Sequence, residues 1–327
     1  MRRREFVAAL GGAAAFAFAA RAENADRVRR VGVLIYGAED DPVTATRELG
    51  LRQGLESRDW VEGRNLEIEF RFGAADRERI HAGARDLVSR APDVIVTGAA
   101  PATRAVLALT QTIPVVFVEV TNEMGYGLSG KLARPETNST GITNLYLAIG
   151  ARWLELLKTA APRLERVLLL FNPEFESPAY LAAIEAASDA YRVKTIRTPI
   201  RDSGEISQAI AAAAAESQVG LLIVPPTPAF PDMRLIFELA NQYKLPAIYP
   251  TLGFAAAGGL MAYGAESGDL FRQAAGYVDR ILHGAKPSEL AVGFPTKFDL
   301  VINLKAARTI GLDIPQPLIA RAAAVIG

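Results

Sequence analysis

From Val28 onward the chain alternates short β-branched runs with stretches of helical period, and that rhythm leaves few architectures open. A strand buried on both faces reads as a continuous apolar run, and helices connecting such strands cover a parallel sheet. Residues 31–36, 94–97 and 115–118 are runs of this kind, whereas residues 66–70 interleave Glu67 and Glu69 and read as a more exposed strand. Helices are expected over 44–59, 76–90 and 101–110, the last with Pro101 in its first turn. The turn-rich Arg134-Pro135-Glu136-Thr137-Asn138 closes this unit, and Gly127, Gly130 and Gly141 read as turns in a long linker.

A second unit repeats the rhythm without repeating the sequence. Strands are expected at 167–171, 193–196, 221–224, 247–249 and 260–263, and helices at 148–160, 178–191, 205–215, 231–243 and 269–283. A final strand and helix cover 298–311. The 327 residues suffice for two domains, and the expected fold class is α/β, with two parallel sheets each flanked by helices.

Residues 1–25 stand outside this pattern. Met1-Arg2-Arg3-Arg4-Glu5-Phe6-Val7 leads into an apolar Ala/Gly-rich stretch that ends at Ala20, followed by Arg21. This matches a secretory signal peptide, and the paired arginines before Phe6 match the twin-arginine type. The apolar stretch is shorter than the roughly 20 residues needed to span a bilayer. Cleavage is expected after Ala19, Ala20 or Ala22, leaving a soluble periplasmic product.

Chemistry is sparse. With no cysteine and two histidines, the chain lacks thiolate metal sites, cysteine nucleophiles and zinc-ligand spacing. His81 reads as a helix-surface residue and His283 as a helix-end residue; no Gly-rich nucleotide loop and no G-x-S-x-G context is present. Glu39-Asp40-Asp41 is the acidic cluster at a strand end, read as a polar loop and helix cap, with ligand contact as the other reading. The formal net charge is zero without a basic stripe, which argues against a nucleic-acid partner. The expectation is a binding protein, not an enzyme, with no catalytic residue, metal or cofactor.

In open α/β sheets, ligands settle outside the carboxyl ends of the strands. Tyr36, Phe171, Tyr249 and Tyr263 stand at such ends and offer rings to wall an apolar guest. Thr97, Thr121, Asn122, Thr143, Asn172 and Thr227 offer polar groups to fix its other end, or cap helices.

Ordered stretches along the chain resemble a known family. They include Arg29-Arg30-Val31-Gly32-Val33-Leu34, Trp60-Val61-Glu62-Gly63-Arg64-Asn65, Ala91-Pro92-Asp93-Val94-Ile95, Leu170-Phe171-Asn172-Pro173, Leu245-Pro246-Ala247-Ile248-Tyr249-Pro250 and Pro295-Thr296-Lys297-Phe298. The chain resembles the periplasmic solute-binding components of ABC importers of the tryptophan/tyrosine type. That resemblance implies the type I periplasmic binding protein architecture: two Rossmann-like three-layer lobes around a ligand cleft that closes by hinge motion. It implies three crossings between lobes, placing residues 27–143 and 266–288 in the first lobe and 144–265 and 289–327 in the second. The ligand positions it implies are Ala38, Glu39, Gly98, Ala99, Thr121, Asn122, Thr143, Asn172, Pro226, Thr227, Tyr249 and Tyr263. The implied partners of the monomeric protein are a small aromatic amino acid or related acid, and an inner-membrane permease with its ATPase. A periplasmic sensor that presents ligand to a membrane receptor is the alternative role. The chain departs from the family pattern at Thr121-Asn122-Glu123-Met124-Gly125, Glu136-Thr137-Asn138-Ser139-Thr140-Gly141 and Pro225-Pro226-Thr227-Pro228, all on cleft loops.

Overall fold

The computed structural model describes residues 27–120, 137–144, 147–174, 178–225 and 232–327. The expected signal peptide therefore lies outside the described residues. The first sheet has five strands, all parallel, in the order β2-β1-β3-β4-β5. These are β1 (Arg29–Ile35), β2 (Leu66–Phe72), β3 (Val94–Gly98), β4 (Val115–Val120) and β5 (Ser139–Thr143). Between them run α1 (Pro42–Glu56), α2 (Arg77–Ser89) and α3 (Ala100–Leu107). Asp41 and Asp76 start the first two helices by accepting from the backbone N–H groups of Val43 and Arg79, both at 2.8 Å.

The second sheet has seven strands in the order β12-β11-β10-β9-β8-β6-β7. They are β6 (Arg166–Phe171), β7 (Lys194–Pro199), β8 (Val219–Ile223), β9 (Ala247–Tyr249), β10 (Met261–Gly264), β11 (Asp299–Asn303) and β12 (Ala324–Ile326). Its helices are α4 (Ile149–Ala160), α5 (Pro178–Ala187), α6 (Ser203–Ala214), α7 (Met233–Gln242), the short α8 (Gly253–Ala256), then α10 (Leu304–Ile310) and α11 (Gln316–Ile319). The intervening α9 (Ser267–Leu282) belongs to the first sheet.

Side chains alternate across each strand, and the cores follow that period. Val31, Val33 and Ile35 join Val116 and Val118 beneath α1 and α9, while Leu34 and Ile95 face α2 and α3. In the second sheet Val167, Leu169 and Phe171 face α4 and α5, and Leu168 and Leu170 face α6 and α7. Among the described residues, no helix is long and apolar enough to cross a membrane.

Three details differ from the sequence expectation. The stretch read as linker contains β5: its Ser-Thr-Gly-Ile-Thr run lacks a strand's apolar signature, yet all five residues are buried. The second sheet is mixed, because β10 and β11 pair antiparallel. The first lobe also extends past residue 288. Leu290 lies in its core, Thr140 Oγ1 donates to Leu290 O at 2.7 Å, and Gly293 exchanges backbone bonds with Gly141 and Thr143.

Candidate functional site between the lobes

The carboxyl ends of the two sheets supply facing loops. A Cβ built on Gly253, at the start of α8, would stand 3.5 Å from Val43 Cγ2 in the first turn of α1. Helices α1 and α8, one on each sheet, therefore approach each other at this point. The crossings at 144–148, 265–266 and 283–298 join the two bodies.

On the first lobe, two neighbouring strands end in backbone conformations that ordinary residues avoid. Ala99 has φ +70° and ψ 163°, and Glu119 has φ +60°. Such conformations cost about 1–3 kcal/mol each and persist where surrounding structure enforces them, often at ligand sites. Here Ala99 N–H donates to Val118 O at 2.9 Å, so the two strand ends are bonded to each other. Glu119 is the extra residue of a bulge: Val118 pairs with Ile142 and Val120 with Thr143. Strict alternation would send Glu119 to the face of Phe117. The bulge turns it to the α1 and α9 side, where Arg47 Nη2 forms an ion pair with Oε2 at 2.8 Å and Ser267 Oγ donates to Oε1 at 2.5 Å.

The expected ligand residues divide into those the structure gathers at strand ends and those it assigns elsewhere. Ala38 is half-buried and its carbonyl accepts from Asp41 N–H, Glu39 is exposed, and Gly98 and Ala99 are buried at the end of β3. Thr143 is buried and donates to Val120 O at 2.6 Å, so its hydroxyl braces the bulge. Asn172 Oδ1 accepts from Glu174 N–H at 3.0 Å and shapes the turn after β6. Asp41 is a helix cap, its side chain accepting from Val43 N–H. Thr121, Asn122, Pro226 and Thr227 lie outside the described residues. Thr97 is fully buried and shares a 2.8 Å hydrogen bond with Thr103, while Phe171 is buried in the core and Tyr36 half-buried.

Tyr249 needs correction as a wall of the cleft. Its ring is fully buried against Phe237 and Phe254, with centroids 5.0 and 6.2 Å away. Among the described residues its hydroxyl has no hydrogen-bond partner, and burial pushes the phenol far above its ordinary pKa. An unsatisfied buried hydroxyl costs about 1–3 kcal/mol. Tyr249→Phe is therefore expected to raise stability by about 1 kcal/mol in a urea melt and to leave ligand affinity unchanged.

Tyr263 is placed differently. Its ring is half-buried, stacks on Phe298 at 6.0 Å and lies under the Arg152 guanidinium at 5.9 Å. Burial works against the charge of Arg152, but the Glu155 carboxylate and the Tyr263 hydroxyl beside it hold its pKa above the ordinary value. Trp153 Nε1 donates to Tyr263 O at 2.7 Å, and Tyr180 Oη donates to Asn144 O at 2.5 Å. These two bonds fix the ends of the first two crossings to the second lobe.

Sequence reading missed the Arg47–Glu119–Ser267 network. The available signal was Glu119 itself, the sole charged residue in Val-Val-Phe-Val-Glu-Val. Among the described residues, no group of three or more His, Cys, Asp or Glu is placed to hold a metal ion.

A family model for ABC transporter substrate-binding proteins matches residues 31–326. The chain belongs to that family. This substrate-binding protein is 24% identical over 290 residues to a tyrosine-binding protein of Clostridioides difficile, covering 88% of this chain and 83% of the relative. A conserved domain protein from Vibrio cholerae is 27% identical with a TM-score of 0.77, covering 91% of this chain and all of that one. An ABC domain from Streptococcus pneumonia in complex with L-Trp has a TM-score of 0.80 at 21% identity, over 91% and 99% of the two chains. The two-lobed α/β architecture is thus that of type I periplasmic binding proteins, and the sequence expectation of binding without turnover accords with the family.

Proposed function

We propose that the protein captures a small aromatic molecule of the tyrosine or tryptophan kind by closing its lobes, and delivers it to the permease and ATPase of an ABC importer. The observation that carries this reading is the arrangement of two strand-end loop sets joined by three crossings, with α1 and α8 approaching each other at Val43 and Gly253. A cleft of this design closes by hinge motion, and a ligand shifts it toward closure only by touching both lobes. The ligand classes named for the C. difficile and S. pneumonia relatives support an aromatic guest. On the second lobe Tyr263, backed by Phe298 and Arg152, is the candidate ring contact; on the first, Ala38, Gly98 and Ala99 supply the strand-end backbone. The N-terminal signal supports a periplasmic location, the reading takes the working protein as a monomer, and its neutral charge balance offers no basic surface for nucleic acid.

The test is a calorimetric titration of the chain from residue 26 onward with L-tyrosine, L-tryptophan and their related aromatic acids. Saturable binding of one molecule per chain, recovered unchanged, is expected. Absence of binding by every aromatic probe, or conversion of any of them, overturns the reading.

A further inference from the structure

We propose that Arg47 and Glu119 form a paired-charge subsite that selects zwitterionic ligands, Glu119 accepting from the ligand's ammonium group and Arg47 donating to its carboxylate. The proposal rests on the cleft reading above and adds the charge class of the guest.

Glu119 sits at the carboxyl end of β4, and a bulge with a left-handed backbone re-aims it away from the face that alternation would give it. The pair is largely but not wholly covered: the Arg47 side chain is 15% exposed and that of Glu119 is 11%. Among the described residues, Glu119 Oε1 accepts from Ser267 and Oε2 faces Arg47 in the ion pair, which leaves acceptor capacity on both oxygens. Arg47 Nη2 pairs with Glu119, and among the described residues its buried Nε has no hydrogen-bond partner.

One turn earlier the Thr44 hydroxyl is fully buried and also has no partner among the described residues. Gly37 packs closely beside these donors, where a larger residue would not fit. A Cβ there would lie 2.5 Å from Thr44 Oγ1 and 3.6 Å from Arg47 Nη1. Buried polar groups are normally paired, so donors gathered without an acceptor point to a group that arrives with the ligand. Opposed charges held side by side also discriminate by sign. A ligand with only a carboxylate meets Glu119 as a like charge, and one with only an amine meets Arg47 in the same way. A zwitterion complements both.

The test compares three probes that share one ring: L-tyrosine, its deaminated acid hydroxyphenylpropanoate, and its decarboxylated amine tyramine. L-leucine serves as a non-aromatic zwitterion. The wild-type protein is expected to bind L-tyrosine about tenfold or more tightly than either analogue. Glu119→Gln removes the preference over the deaminated acid, and Arg47→Gln removes the preference over tyramine. Ser267→Ala, which leaves both charges in place, retains both preferences; a network that is only a scaffold loses them in this variant too.

Folded charge variants that keep the wild-type preferences overturn the proposal, as does wild-type protein that binds an analogue as tightly as L-tyrosine. If L-leucine alone binds, with the same dependence on Arg47 and Glu119, this proposal stands and the aromatic reading falls. If the deaminated acid binds and neither zwitterion does, the aromatic reading stands and this proposal is overturned.

Discussion

Gly50→Ala is expected to lower the melting temperature of this protein, although glycine-to-alanine replacement inside a helix ordinarily raises it. The ordinary gain is about 1 kcal/mol, from lost backbone freedom in the unfolded chain. At Gly50 a contact opposes it. The first lobe is built on α1 packed against α9, and a Cβ on Gly50 would stand 2.0 Å from the carbonyl oxygen of Gly268. Backbone cannot swing aside as a flexible side chain can, so the helices must part along a seam that also holds Gly54 against Ala275. A net loss of about 2–3 kcal/mol follows, or roughly 4–10 °C in melting temperature. Gly276→Ala supplies the control within α9. There the new methyl group would meet the end of the Arg58 side chain at 3.2 Å, which can move, and the melting temperature is expected to hold or rise slightly.

The second large effect is Trp153→Ala, expected to cost about 3–5 kcal/mol in a urea unfolding curve. Trp153 is fully buried in the second lobe and tilts against Tyr180 with ring centroids 5.8 Å apart. Truncation leaves a cavity and also orphans the Tyr263 carbonyl that Trp153 Nε1 serves. Tyr263 is the candidate ring contact, one residue before β10 ends and the chain crosses back to α9. The variant is therefore expected to weaken binding of L-tyrosine as well as stability. Trp153→Phe, which fills most of the space without the indole N–H, should recover most of the lost stability and less of the affinity. Equal recovery of both would show that the bond to the Tyr263 carbonyl does not position the ring.

The layered α/β order was legible because several of its helices begin at a side-chain cap and the core strands are largely apolar runs. Asp41, Asp76, Asp202, Asp232 and Asn303 all accept from backbone N–H groups of the helices they precede. β5 was not legible, since its burial comes from the crossing segment at 290–293 folding over it and not from its own composition. Nor could sequence period distinguish Tyr249 from Tyr263. Both stand at strand ends, but Tyr249 is in register with Ala262, so the two rings fall on opposite faces of the sheet. Glu119 shows the converse limit: alternation sends it to one face, and a bulge that no local pattern announces turns it to the other. The departures noted at Thr121-Asn122 and at Pro226-Thr227 lie outside the described residues.

Capture by closure makes one demand that neither lobe can meet alone. A ligand that binds must bring the bodies joined at 144–148, 265–266 and 283–298 toward each other. Small-angle scattering recorded across the L-tyrosine and L-tryptophan titrations measures this directly. The radius of gyration is predicted to fall saturably, with its midpoint at the calorimetric one and one ligand per chain. A radius unchanged at full occupancy would contradict closure as the means of capture.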